Sequence, residues 1–333
     1  MRYRHFKRTT PLLHDLGKLL SNLYLTQKTC IIKYPILLDG GLSNQLEAQG
    51  CNLNNPLWTA DVLRSNPEAI VHAHLQYLKA GAKIITTSSY QATLAGFSDM
   101  GLDKDESEAL ILKSVELARL AVDQYSIRHP GQEKAFVAAS IGPYGAYLAD
   151  GSEYIGNYTI EENELLHFHE AKIKLLDSSN PDFLAFETIP SYQEARLISQ
   201  ILMTAITPAW ISFSCKDEEH ISDGTPIAEC IELLKKVPGI WAAGVNCTSP
   251  RYIKGIIQKI KKHGWEKKII VYPNSGEKFI AEHKSWVTSG DIPDELPVEE
   301  WLDAGADIIG GCCRIGPEQI RAMNNVLSSY KRS

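Results

Sequence analysis

Asp182-Phe183-Leu184-Ala185-Phe186-Glu187, the helical run over residues 192–204 and then Trp210-Ile211-Ser212-Phe213-Ser214 decide how this chain is read. The two outer segments stay apolar until their last residues, and neither alternates between polar and apolar. Continuous runs of that kind suit parallel strands covered on both faces. Working outward, similar segments recur at 36–39, 83–87, 135–140, 241–246, 268–272 and 307–310. Between them lie amphipathic helical patterns. Asn66 and Pro67 open one, which stops at Gly81, as a cap residue and a first-turn proline should. Others cover 106–125, 161–177, 227–236, 250–263 and 317–328. Strand followed by helix, repeated about eight times, predicts an α/β fold of the (β/α)8 TIM-barrel type. A doubly wound dinucleotide fold is the alternative. It loses support because no Gly-x-Gly-x-x-Gly follows the first strand. Only residues 1–34 fall outside the repeat, so the reading is an N-terminal extension, 1–34, before a single barrel domain, 35–333.

Composition narrows the function classes. The 333 residues are 44% hydrophobic and 22% charged, an ordinary globular balance, with 40 acidic against 34 basic residues and a net charge of -6. A dedicated nucleic-acid binder usually carries a basic surplus, so none is expected. The least charged window, 197–215, is about as long as a membrane span. It holds Pro208 and several Ser and Thr residues, and reads instead as a helix end, a turn and a buried strand. Arg2, Arg4, Lys7 and Arg8 are not followed by a long apolar stretch, which excludes a secretory signal. They read as a basic helical arm, with a mitochondrial presequence as the alternative. Seven cysteines, an odd number without a signal peptide, do not resemble a disulfide framework, so a reducing cytoplasm is the expected location.

A barrel's active site sits at the C-terminal mouth of its strands. The residues placed there are Asp39, Thr87, Ser140, Glu187, Ser214, Asn246-Cys247, Asn274 and Cys312-Cys313. Cys247 ends the sixth strand and Cys312-Cys313 the eighth, so three sulfurs can converge at one edge. Three thiolates with one open position suit catalytic zinc. A vicinal disulfide, a redox pair or two inert core thiols are the competing readings of the Cys-Cys pair. Zinc with three thiolates carries about -1 in total, which makes it a poor activator of water and a good holder of another thiolate. A free thiol has a pKa near 8.5, and metal binding deprotonates it. The chemistry implied is attack of a substrate thiolate on carbon.

At this point the residues match a known family. Asp39-Gly40-Gly41 with Leu46-Glu47, Thr86 to Thr93, and Ser140-Ile141-Gly142-Pro143-Tyr144-Gly145 resemble homocysteine S-methyltransferases. So do Phe186-Glu187-Thr188-Ile189-Pro190, Gly244-Val245-Asn246-Cys247, Tyr272-Pro273-Asn274-Ser275-Gly276-Glu277 and Gly310 to Arg314. The resemblance runs from about residue 35 to the C-terminus. Residues 145–154 are similar to the branch that uses S-methylmethionine, with S-adenosylmethionine as a poorer donor. Asn44 departs from a Thr in many relatives, and either residue can bond to nearby backbone.

The resemblance implies zinc on Cys247, Cys312 and Cys313, with the homocysteine sulfur as fourth ligand. It also implies that Asp39, Gly40, Thr87 and Glu187 surround the amino acid, with Asn246 beside them. Glu187 or Asp39 would take the substrate ammonium. Backbone N–H groups near Gly40-Gly41, or the Thr87 hydroxyl, would take its carboxylate. Gln91 is read as a weak fourth ligand when substrate is absent. The reaction implied is methyl transfer to homocysteine, giving methionine, by a monomer or small homo-oligomer that acts on small molecules and needs no membrane. Rival readings are a thiol or selenol methyltransferase with another donor or acceptor, a non-catalytic zinc-thiolate protein, and a barrel lyase with inert cysteines.

Other residues read more plainly. Cys30, Cys51, Cys215 and Cys230 are incidental thiols, with Cys215, at a strand end, the nearest impostor ligand. His167 and His169, beside Glu164 and Glu170, read as a solvated helix face. The Lys-rich stretch 254–268 reads as a helix face and a turn. Tyr144, Tyr147 and Tyr154 are either packing residues or an aromatic lid that favours a sulfonium by cation–π contact.

Overall fold

The computed structural model describes residues 32–55, 57–276, 278–280, 285–287 and 295–331. The basic arm over 1–31, Cys30 and Glu277 lie outside the described residues. Eight parallel strands form the barrel: β1 Ile36–Leu37, β2 Ile84–Thr86, β3 Phe136–Ile141, β4 Phe183–Ile189, β5 Ala209–Phe213, β6 Ile240–Asn246, β7 Lys268–Tyr272 and β8 Ile308–Ile309. Their spatial order is β1-β8-β7-β6-β5-β4-β3-β2, and a parallel bridge from Leu38 to Ile84 joins the two ends. All eight strands expected from the sequence are present. The first, second and last are shorter than read, and the chain turns into the mouth after each of them.

The helices follow the expected alternation. Asn66 caps Pro67–Ala80 by accepting from the Ala69 N–H at 3.3 Å, and Gly81 ends it at φ +112°. The next helix, Lys104–Arg128, begins earlier than the apolar pattern suggested. A capping box between Asp103 and Glu106 nucleates it there. Glu162–Ser178, Tyr192–Leu202, Ile227–Leu234, Pro250–Lys262 and Pro317–Ser329 complete the main ring, with the shorter Val298–Ala304 before β8. Among the described residues no helix is long and apolar enough to cross a membrane. Residues 197–215 are indeed a helix end, a turn and a buried strand. An antiparallel pair, Lys278–Ile280 with Ser285–Val287, had no counterpart in the sequence reading.

Strand periodicity of two divides the side chains. Leu37, Ile85, Val137, Leu184, Ile211 and Val271 face the helices and join one large core. Leu38, Ile84, Ala138, Phe183, Ala185, Trp210, Ile270 and Ile308 belong to a second core inside the barrel. Phe183 and Trp241, near the starts of their strands, stack with centroids 4.3 Å apart and plug that end. Continuing the same parity toward the strand ends reaches Thr86, Ser140, Ser212 and Tyr272. The apolar plug therefore gives way to a polar mouth within two residues of chain.

Candidate functional site

The mouth holds a cavity of about 560 Å³, within the usual range for a small-molecule site. Asp39, Gly40, Thr87, Glu187, Asn246, Cys247, Cys312 and Cys313 all line it. Backbone strain is concentrated there. Trp58, Ala149, Thr188, Cys247 and Arg314 each have φ between 46° and 66° and line the cavity; among the described non-glycine residues only Asn180 shares that conformation elsewhere. Left-handed backbone at such residues persists only where the surroundings enforce it.

The Cys247 sulfur lies 2.7 Å from that of Cys312 and 3.5 Å from that of Cys313, and the remaining pair is 4.0 Å apart. Among the described residues this is the one group of three His, Cys, Asp or Glu side chains close enough to share a metal ion. Sulfurs at 2.3 Å from a tetrahedral zinc would be about 3.8 Å apart. Two of the three spacings match, and the third must open by roughly 1 Å. The donor set fits a thiophilic ion. Cys312 and Cys313 hydrogen-bond to the Cys247 sulfur and the Tyr154 hydroxyl donates to it, so the Cys247 thiol is held well below its usual range. The Cys312 and Cys313 thiols are pushed up, as partners that keep the protons the thiolate needs. Cys215 and Cys230 take no part. Burial pushes both thiols up.

Glycines let the segment after β1 close on the turn that carries Cys312 and Cys313. A Cβ on Gly41 would sit 2.7 Å from the Cys312 carbonyl oxygen, and one on Gly40 would sit 2.4 Å from that of Ile315. Asn44 bonds to backbone as expected, accepting from the Arg314 N–H at 3.3 Å.

The carboxylates lie deeper. Asp39 accepts from the Thr86 N–H at 2.8 Å and from its hydroxyl at 3.2 Å. Burial raises its pKa well above the usual carboxylate value, and nearby Glu187 adds to the rise. Glu187 accepts from the Ser140 hydroxyl. Burial pushes its pKa up to about 7 against that hydrogen bond. Both acids line one cavity, burial opposes the ionisation of each, and a cation beside them would favour their charged forms.

Two of the expected contact residues also have partners within the protein. The Ser89 hydroxyl donates to the Ser140 carbonyl, so the Thr87 hydroxyl must donate to Ser89 while accepting from the Ser140 N–H. In this arrangement the Thr87 proton is directed to Ser89. The Asn246 amide is likewise engaged. Its Oδ1 accepts from the Thr188 N–H at 2.6 Å, and its Nδ2 donates to Thr188 Oγ1 at 2.8 Å and to Cys312 Sγ at 3.7 Å. The Asn246 amide thus links Thr188 to Cys312 at the cavity wall. The Gly41 N–H donates to Ile315 O, which leaves Gly40 as the candidate backbone donor of that pair.

Gln91 lines the cavity with its Nε2 held by the Ala146 carbonyl at 2.6 Å. The three tyrosines divide. Tyr154 lines the cavity, whereas Tyr144 and Tyr147 pack with Phe168 and Tyr158 beside it. Trp58 and Tyr90, which the sequence reading passed over, are cavity-lining rings in edge-to-face contact. His167 is exposed as expected, but His169 is fully buried. Its Nε2 meets Glu194 at 2.6 Å, and the same carboxylate accepts from the Tyr144 N–H and the Tyr158 hydroxyl. This knot ties the loop carrying Tyr154 to two helices. Lys172, also buried, donates to the carbonyls of Ser89 and Tyr90 at 2.6 and 3.0 Å and fixes the loop after β2.

A family model described as homocysteine S-methyltransferase matches residues 36–327. Over 305 residues the chain is 45% identical to homocysteine S-methyltransferase 2 of Zea mays, covering 88% of this chain and 90% of that protein. Over 295 residues it is 45% identical to the homocysteine S-methyltransferase of Escherichia coli strain K12, covering 86% and 94%. The metallated form of the Escherichia coli homocysteine methyltransferase MmuM superposes with a TM-score of 0.80 and 40% identity, over 91% of this chain and 99% of that one. With a family match that spans the whole barrel and includes all three clustered cysteines, this chain belongs to the homocysteine S-methyltransferase family.

Proposed function

We propose that the protein transfers a methyl group from S-methylmethionine, or from S-adenosylmethionine as a poorer donor, to the sulfur of homocysteine. The product is methionine, and S-methylmethionine yields a second one. The observation that carries this reading is the meeting of three sulfurs beside two buried carboxylates in one cavity. Cys247, Cys312 and Cys313 would hold zinc, which when bound supplies a deprotonated, positioned homocysteine sulfur as its fourth ligand. That a relative of 40% identity is described as metallated supports a metal in this protein, and the three clustered sulfurs are the donor set for it.

The chain's own residues do the rest. Glu187 and Asp39 receive the homocysteine ammonium, which favours their ionised forms. The Gly40 N–H faces the carboxylate. Thr87 and Ser140 keep Glu187 in place, and Asn246 steers Cys312. In the transfer the thiol proton leaves to solvent, the new carbon–sulfur bond forms, and the old bond's electron pair goes to the donor sulfur. That sulfur departs neutral, so no general acid is required. Residues 35–333 act in this reading as one homocysteine-binding domain, in the cytoplasm, as a monomer or small homo-oligomer.

The test is methionine formation from homocysteine and S-methylmethionine, with zinc content measured on the same samples. Cys312→Ala should lose both zinc and turnover. Full zinc and full rate in that variant would remove Cys312 from the ligand set.

A further inference from the structure

Two acidic residues of the cavity are unused by the proposed chemistry, Glu47 and Glu153; Glu47 is exposed, whereas Glu153 carries a buried oxygen. Glu153 sits in the Ser152–Tyr154 turn, entered through Gly151 at φ +88°. The turn packs tightly on the helix Tyr144–Leu148. A Cβ on Gly145 would lie 2.4 Å from the Glu153 nitrogen. Glu153 lines the cavity, and its Oε2 is buried with no hydrogen-bond partner among the described residues. Leaving such an acceptor unmatched costs stability, so a matching donor in the bound state has a reason to exist. Burial also pushes the carboxyl up to about 7, which a bound cation would reverse.

Its position differs from that of Asp39 and Glu187. Those two act on one another, and Glu187 feels Cys312. Glu153 acts on Tyr90 and Tyr154, the two rings that also feel Cys247. The three sulfurs and these three acids line the same cavity. Methyl transfer between two amino acids places them on opposite sides of the moving carbon, because the entering and leaving sulfurs must be in line. Each brings an α-ammonium. The unmatched oxygen of Glu153 needs an N–H donor, which a sulfonium does not have and an ammonium does.

We propose that Glu153 binds the α-ammonium of the methyl donor and so selects amino-acid sulfonium compounds. The inference rests on the methyltransferase reading above. It is tested on the full-length, zinc-loaded protein with Glu153→Gln, using steady-state kinetics and, independently, calorimetric binding of S-methylmethionine. The expected result is a rise of about tenfold or more in donor KM and Kd, the effect of losing a charged hydrogen bond, with homocysteine KM unchanged within roughly twofold. Dimethylsulfoniopropionate, which lacks the ammonium, should be an equally poor donor for both proteins. An unchanged donor KM, or a rise confined to homocysteine, overturns the assignment. If wild type transfers no methyl, the proposed function fails. The calorimetry still decides Glu153, since weaker binding in the variant supports it, and equal or absent binding to wild type overturns it. Should Glu153→Gln not fold, Glu153→Asp withdraws the carboxylate by one methylene and carries the same comparison.

Discussion

Asn246 and Thr188 clasp each other through two hydrogen bonds, 2.6 Å from the Thr188 N–H to Oδ1 and 2.8 Å from Nδ2 to Thr188 Oγ1. The clasp holds a β-branched residue at φ +61°, a conformation it would not otherwise keep. The remaining Nδ2 hydrogen points to Cys312. One amide thus joins the end of β4 to a candidate metal ligand after β8. Asn246→Asp keeps the shape but removes the donor and adds a negative charge beside the sulfurs. It should cost about 1–3 kcal/mol in urea unfolding. Zinc affinity should fall about 10–100-fold, as for other groups that orient metal ligands. Unchanged zinc affinity with only the stability loss would confine Asn246 to holding the backbone.

The buried position of Glu187 fixes a pH dependence. Its pKa in the free protein, about 7, lies above the ordinary 4.5, so the protonated form is favoured over that window. The folded state then holds more protons than the unfolded one between those values, and its stability falls as the pH rises through them. A ligand ammonium needs the ionised form. Norvaline, which has a methyl group where homocysteine has its thiol, isolates this effect from sulfur ionisation. Its affinity should drop about tenfold per pH unit below 7 and level off above 8. Glu187→Gln should bind weakly at every pH. Calorimetry from pH 5.5 to 8.5 checks both curves, and a flat wild-type profile would remove Glu187 from the ammonium site.

The barrel was legible because its strands are apolar on both faces, and a run such as Phe183 to Phe186 has few other fates. The sulfur cluster was legible because strand ends in a barrel share one mouth. What a strand end does there was not. Thr87 and Asn246 sit where expected, but the direction of each hydrogen bond depends on Ser89, Ser140 and Thr188, which only three dimensions bring together. His169 was misread for a related reason. One helix seen alone does not reveal which face meets Glu194, twenty-five residues on. Trp58 starts a single 3-10 turn and Tyr90 lies in a loop, and no periodicity marks either as a cavity residue.

The barrel cores contain none of the three clustered sulfurs as principal members, so metal and fold should separate. Cys247→Ala should purify with far less than one zinc per chain and no methyl transfer, with far-UV circular dichroism like that of wild type. Cys215→Ala should keep its zinc, because that thiol lies outside the cluster. Elemental analysis of both variants checks the pair. Zinc loss in Cys215→Ala, or retention in Cys247→Ala, would redraw the ligand set.

Gly41 offers a test in which only space changes. Its φ of -64° suits any residue, so Gly41→Ala brings no backbone strain of its own. The added methyl would lie 2.7 Å from the Cys312 carbonyl oxygen, a backbone atom that no rotamer change can move. Either the Asp39–Gly41 segment or the Cys312 turn must shift, and the sulfurs lose their common focus. Zinc affinity, measured by competition with a chromophoric chelator, should fall on the order of tenfold while the barrel still folds. Gly239→Ala is the control. Its new methyl would meet only Leu202 O at 3.5 Å, an ordinary contact, and zinc affinity should stay at the wild-type value. Equal affinities in the two variants would mean that the close approach of Gly41 to Cys312 does not shape the metal site.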